Sequence, residues 1–217
     1  KRLGVRILQG AIMTIGFYKT PEQFAESSGR VNERFVFGGV RIGDPAYERE
    51  KQALIQRYRD MKKPVPLREG LEVIKHFQPF KPDSREPVDP ASPIKQFPYA
   101  LRKFVAEGLG LKGDKERNVL FWTAVDSFID TAFGADAVIE VKGGKGEPPR
   151  LVRLDVTRHS PGETTKEEKD NRDRVIIYGE IPDVHESKKA YDDTVRRIGE
   201  EIIEKLNAQK AVAKVAA

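Results

Sequence analysis

The feature that most constrains the fold is a pair of strand-like segments joined by a glycine- and proline-rich turn. Residues 137–142 (AVIEVK) and 151–157 (LVRLDVT) alternate apolar and polar side chains, which is the period of a strand with one buried face. The intervening residues 143–149 have the sequence GGKGEPP, which is typical of a turn. The pattern predicts a β-hairpin with a slightly long loop.

The segments around this hairpin predict one mixed domain over residues 99–217. The short apolar run 175–178 (VIIY) predicts a further buried strand, and apolar residues at helical spacing predict a long helix from Glu186 to about Ala211. Before the hairpin, Asp114 is expected to cap a buried helix that Gly134 ends. The order helix, strand, strand, polar segment, strand, helix indicates an α+β or mixed α/β fold.

The first 77 residues predict a mostly helical region. Asp44 and Pro45 form a cap-plus-proline signal for a helix that ends before Pro64, and a shorter helix is expected over 67–77. Residues 34–37 (RFVF) predict a brief strand, Thr20 the start of a short helix, and the apolar stretch 5–17 a strand or a buried helix. Residues 78–98 contain six prolines, which predicts an extended, exposed linker between the two parts.

Charge is unevenly distributed along the chain. The 217 residues have a formal net charge of +5, and the first 70 hold 14 Lys/Arg against 8 Asp/Glu. This asymmetry is compatible with binding to a polyanion such as nucleic acid, and equally with a solvated basic surface. The residues expected to contact phosphates are Arg34, Arg41, Arg57, Arg59, Lys62 and Lys63.

Two absences restrict the function classes. The sequence has no cysteine, which excludes disulfides, thiolate zinc sites and cysteine nucleophiles. It also lacks an apolar run of about 18 residues, the length needed to span a bilayer. A cytoplasmic protein without a membrane segment is therefore expected.

The hairpin strands carry the residues with the clearest chemical meaning. Alternation predicts that Asp136, Glu140, Lys142, Asp155 and Thr157 lie on one face. Paired carboxylates on adjacent strands supply the oxygen ligands and negative charge that Mg²⁺ requires. The alternative is that these residues only form the solvent-facing side of a sheet and have no chemical role.

The motif from Gly134 to Glu140 (GADAVIE), followed by Leu154 to Thr157 (LDVT) and the strand 175–178, resembles the PD-(D/E)XK nuclease-like superfamily. In that superfamily a helix precedes a strand hairpin, an Asp opens the signature, and an acidic-x-Lys triplet follows on the next strand. The resemblance covers roughly residues 114–210. It implies a restriction-endonuclease-like sheet flanked by helices, with Asp136 and Asp155 as Mg²⁺ ligands, Glu140 as an auxiliary acid, and phosphodiester hydrolysis by metal-activated water.

Thr157 departs from the superfamily's pattern, because it occupies the lysine position and cannot supply a positive charge. The resemblance then implies either that Lys142, Lys166 or Lys169 replaces that lysine, or that the domain binds nucleic acid without cleaving it. The remaining alternative is a non-enzymatic structural subunit. Such a subunit would dock onto protein partners, or onto a second copy, through its proline-rich segment and terminal helix.

Overall fold

A four-stranded mixed sheet lies at the centre of the computed structural model, which describes residues 30–144, 146–157 and 173–215. The strands are β1 (Val119–Thr123), β2 (Ala137–Val141), β3 (Arg150–Thr157) and β4 (Arg174–Tyr178), in the order β1-β2-β3-β4. Strand β2 is antiparallel to both β1 and β3, whereas β3 and β4 are parallel. The predicted hairpin and the predicted third strand are both confirmed.

Helices precede, interrupt and follow the strands. In chain order they are α1 (Arg30–Phe37), α2 (Pro45–Asp60), α3 (Leu67–Lys75), α4 (Gln96–Gly108), a 3₁₀ turn (Gly113–Asn118), α5 (Phe128–Phe133) and α6 (Lys188–Val215). The start of α2 is as predicted, since the Asp44 carboxylate accepts a hydrogen bond from Ala46 N at 2.9 Å. The helix predicted over 67–77 and the long terminal helix are also confirmed.

Two predicted elements are wrong. The expected helix over 114–133 is instead the 3₁₀ turn, strand β1 and the short helix α5. All five residues of β1 are buried, and a continuous apolar run has no period that separates a strand from a buried helix. Residues 34–37 belong to helix α1 rather than to a strand, and Gly38, at φ +77°, follows the end of that helix.

The proline-rich segment 78–98 is not an exposed extended linker. Its Pro90 carbonyl accepts a hydrogen bond from Phe121 N at 2.9 Å, and Gln78 exchanges hydrogen bonds with the Thr123 backbone at 3.1 Å. Pro98 lies in the first turn of α4, where proline is tolerated because the missing N–H has no helical partner there. The prolines therefore shape a folded connection that covers the outer edge of β1.

Apolar clusters cover both faces of the sheet. On one face, β1–β4 pack against α4 and α6 through residues such as Leu101, Phe121, Ile139, Leu154 and Ile198. On the other face, the N-terminal helices contribute Tyr47, Leu54 and Leu71 to a cluster with Trp122 and Val138. The overall fold is therefore mixed α and β, with helices on both sides of the sheet. Among the described residues, no helix is both long and apolar enough to cross a membrane.

Candidate functional site

Asp136 immediately precedes β2 and is hydrogen-bonded to the β3 backbone on either side of Asp155. The register of the hairpin ends with the pair Ala137 and Leu154, which are the chain neighbours of Asp136 and Asp155. Asp136 N donates to Leu154 O at 2.8 Å, and Asp136 Oδ2 accepts from Val156 N at 2.7 Å. The backbone on both sides of Asp155 thus fixes the position of Asp136.

Asp136 is buried in acidic surroundings. Its residue surface is only 3% exposed, and burial raises the pKa of its carboxyl to about 8. The hydrogen bond from Val156 opposes this increase, whereas the negative charges of Glu33, Asp155 and Asp130 add to it. Carboxylates from α1, α5 and β3 therefore act electrostatically on one buried carboxyl group.

Arg174, the first residue of β4, pairs with Asp155 through its Nη2 atom. The parallel pairing of β3 and β4 brings this guanidinium to the site. Gly134 leaves room for it, because a Cβ atom at that glycine would lie 3.1 Å from Arg174 Nη2. Both side chains of the pair are mostly buried, so the contact is shielded from water.

Glu140 and Lys142 are not brought to this site. Trp122 Nε1 donates to Glu140 Oε2 at 2.7 Å, and Lys75 Nζ lies 2.9 Å from the same carboxylate oxygen. Glu140 is four residue steps along the chain from Asp136, which is about 13 Å in an extended strand. Lys142 is exposed and lines a separate cavity of about 350 Å³ together with Lys75 and Glu140.

The structure describes Thr157, which occupies the lysine position, but it does not describe two of the lysines predicted to replace that lysine. Thr157 is the last residue of β3, and its carbonyl accepts a hydrogen bond from Gly179 N at 2.9 Å. Lys166 and Lys169 lie outside the described residues. The cation that the structure places beside Asp155 is Arg174, which the sequence analysis did not consider.

Most of the basic residues predicted to contact nucleic acid have partners within the chain. Arg34 pairs with Asp126 and Arg57 with Glu69, each at 2.6 Å. Arg41 donates to the carbonyls of His76 and Gln78 at 2.8 and 2.9 Å, so it connects the N-terminal region to the proline-rich segment. Arg59 Nη1 lies 3.5 Å from Gln56 Oε1, at the limit of a hydrogen bond. Lys62 and Lys63 are exposed just after α2. Phosphate binding by these six residues stays a prediction.

Within residues 30–144, 146–157 and 173–215, no three His, Asp or Glu side chains stand in an arrangement that could hold a metal ion. Among the described residues, the site combines the carboxyl groups of Asp136 and Asp155 with the guanidinium of Arg174 and the negative charges of Glu33 and Asp130. Comparison of the chain with family models, curated proteins and solved structures finds no match.

Sequence reasoning missed Glu33 and Arg174 for a common reason. Each reaches the site through a long-range contact, Glu33 through the packing of α1 and Arg174 through the parallel pairing of β4 with β3. The only local signal was the position of Arg174 directly before the apolar run 175–178. That signal identifies the start of a strand but not its neighbour in the sheet.

Proposed function

We propose that this chain is a Mg²⁺-dependent phosphodiesterase of the PD-(D/E)XK type that acts on nucleic acid, with Asp136 and Asp155 as its metal-binding carboxylates. The observation that carries the proposal is the position of the buried Asp136 against the backbone on either side of Asp155, where the charges of Glu33, Asp130 and Asp155 act on it. Arg174 balances one carboxylate, whereas Glu33, Asp130 and Asp155 all act on Asp136. A divalent cation at this position would relieve that repulsion.

Two protein carboxylates are an adequate donor set for Mg²⁺. This ion is usually held by one or two carboxylates, and it keeps its other positions for water and substrate phosphate. The pair Asp136 and Asp155 meets that requirement without a third acidic ligand. Bound there, Mg²⁺ would polarise a phosphoryl oxygen and lower the pKa of a coordinated water.

The protein residues around the pair have separate roles in this proposal. The N–H of Val156 orients the Asp136 carboxyl, and Arg174 holds Asp155 from the neighbouring strand. Arg174 also supplies positive charge at Asp155, two residues before Thr157. A guanidinium donates hydrogen bonds and accepts none, so Arg174 would stabilise negative charge on a phosphate rather than remove a proton.

A second candidate function is nucleic-acid binding without cleavage. Two observations favour it: Thr157 occupies the lysine position, and Asp155 already has a cationic partner within the chain. In this alternative, Arg174 neutralises a former metal ligand permanently, and the fold is retained as a binding module. The two candidates differ in one property, which is cleavage that depends on a divalent ion.

The test is cleavage of labelled single-stranded and duplex DNA and RNA in Mg²⁺, in Mn²⁺ and in EDTA. We expect cleavage in either metal and none in EDTA. Asp136→Asn and Asp155→Asn should each abolish it, because the amide retains the shape of the side chain but cannot become the carboxylate that binds the cation, which in Asp136 requires loss of its proton. Asp60→Asn, at the end of α2, where the exposed carboxylate accepts a hydrogen bond from Gln56 of the same helix, is the matched control and should cleave like the wild type.

Two further variants separate the two candidates. In an active enzyme, Arg174→Gln should reduce cleavage, and Thr157→Lys should increase it by restoring the missing charge. In a non-cleaving relative, the wild type binds nucleic acid but does not cut it in any metal, and Thr157→Lys stays inactive. Cleavage that persists in EDTA, or in both Asp→Asn variants, would contradict an Asp136–Asp155 metal site.

A further inference from the structure

The ring of Phe35 is the most exposed large apolar side chain among the described residues, at 73%. It lies on α1, two residues after Glu33, and Lys95 Nζ stands 5.2 Å from its ring centroid. The ring lines a cavity of about 460 Å³, whose other apolar lining residues are Val36, Phe97, Ile181, Pro182, Val184 and Tyr191. An exposed aromatic ring beside a cation, on the lining of a cavity that also has apolar residues, is a suitable surface for stacking a flat ligand.

The charges around the cavity restrict what can enter it. Lys95 supplies a cation near Phe35, whereas the segment after β4 supplies the carboxylates of Glu180, Asp183 and Glu186. These carboxylates repel a phosphate but accept hydrogen bonds from amino groups. A nucleobase with its backbone phosphate near Lys95 satisfies both parts of the surface. An anionic group buried in the cavity does not.

The cavity is connected to the Asp136–Asp155 site through two elements. Helix α1 carries both Phe35 and Glu33, and the charge of Glu33 acts on Asp136. Strand β4 carries Arg174 at its start and leads directly into the segment that contains Glu180 and Asp183. Arg174 and Glu180 are six residues apart, about 20 Å along an extended chain, so a single strand would need to span several nucleotides to contact both the site and this cavity.

We propose that the cavity binds an unstacked base of a single-stranded nucleic acid, with Phe35 as its stacking partner and Lys95 as a phosphate contact. The proposal rests on the proposed function, because that function supplies the phosphodiester at Asp136. It adds to that function a substrate class, which is single-stranded nucleic acid. In a duplex, both faces of a base are already stacked, so the ring of Phe35 favours single strands.

The experiment measures binding by fluorescence anisotropy of a short fluorescein-labelled DNA single strand of mixed sequence. EDTA is present throughout, so binding is recorded whether or not the protein cleaves. Phe35→Ala should weaken binding about tenfold, as expected when one base loses its aromatic partner. Phe35→Trp should retain the affinity, and Lys95→Gln should weaken binding and reduce its dependence on salt. Tyr99→Ala is the matched control, because it removes an exposed aromatic ring that is not among the residues lining this cavity.

Three outcomes would overturn the proposal. The first is an unchanged affinity in Phe35→Ala, or a loss equal to that in Tyr99→Ala. The second is duplex binding at least as tight as single-strand binding and equally sensitive to Phe35→Ala. The third is a change of oligomeric state in Phe35→Ala, measured by light scattering, with unchanged DNA affinity, which would make the ring a contact between copies. If Phe35-dependent single-strand binding is found without cleavage in Mg²⁺, the cavity assignment stands and only the proposed hydrolysis fails.

Discussion

At the scale of single residues, Asp136 retains its proton over a pH range in which an exposed aspartate is ionised. Burial and neighbouring carboxylates raise the pKa of Asp136 to about 8 from an ordinary value of 3.8. The folded state therefore binds this proton more tightly than the unfolded state. The resulting stabilisation is complete below about pH 4 and is lost as the pH rises towards about 8, at about 1.4 kcal/mol for each unit of pKa difference.

Asp136→Asn should remove this dependence, because an amide does not titrate. We expect the free energy of unfolding of the wild type, from urea denaturation, to fall between about pH 5 and about pH 8 by more than that of Asp136→Asn. Measurements in EDTA exclude stabilisation by a bound metal. Asp60→Asn should follow the wild-type profile. Parallel profiles for the wild type and Asp136→Asn would show that the carboxyl of Asp136 is ionised in the folded protein.

How far the site could be predicted depends on how local its contacts are. The proximity of Asp136 and Asp155 followed from the alternation of two adjacent segments, because a hairpin brings together the residues at the same end of both strands. The same alternation suggested Glu140, but it specifies only the face and not the distance along the strand, and Glu140 pairs with Trp122 and Lys75 instead. Arg174 depends on which strands become neighbours, and no local pattern contains that information.

At the scale of elements, the contact between α4 and α6 requires a glycine. A Cβ atom at Gly199 of α6 would lie 2.3 Å from Cδ1 of the Phe104 ring on α4, which is closer than real Cβ contacts. Gly199→Ala gains about 1 kcal/mol of helix propensity and incurs about 1–3 kcal/mol of overpacking. A phenyl ring between two helices adjusts poorly, so the overpacking should exceed the gain.

We therefore expect Gly199→Ala to lower the free energy of unfolding by about 1 kcal/mol, measured by urea denaturation. Asn207→Ala, at an exposed position of the same helix, is the control for propensity alone and should be neutral or slightly stabilising. If Gly199→Ala is as stable as Asn207→Ala, the two helices have room to separate, and the close contact is not required.

Elements with local start and stop signals were predicted, and those without them were not. Asp44 and Pro45 start α2 through a hydrogen bond within two residues, and Gly134 has the left-handed φ of +56° that follows the end of α5. Strand β1 has no such signal. Its side chains are all buried, and it becomes a strand because β2 and the Pro90 carbonyl supply its hydrogen bonds. Tertiary pairing decides the conformation of such a run.

At the scale of the whole molecule, the sheet shares its second apolar cluster with the N-terminal helices. Leu120, Trp122 and Val138 of the sheet and Ile129 of α5 pack with residues of α2 and α3. The domain division predicted at residues 78–98 assigns these two groups to separate units. That division stays a prediction, and the shared cluster provides a direct way to test it.

A fragment of residues 78–217 should not fold as a stable monomer. Removal of α2 and α3 would uncover Leu120, Trp122, Ile129 and Val138, which are buried in the whole chain. Each large apolar side chain that loses its burial costs about 1.5–3 kcal/mol, so four cost about 6–12 kcal/mol, which is comparable to the 5–15 kcal/mol that stabilises a typical domain. The measurement is urea unfolding of the fragment and of the full chain, followed by the fluorescence of Trp122 and by circular dichroism, with light scattering to detect association. We expect the full chain to unfold in one cooperative transition and the fragment to show none, or to aggregate through the uncovered face of the sheet. A monomeric fragment that unfolds cooperatively at the urea midpoint of the full chain would show that residues 78–217 fold independently of the N-terminal helices.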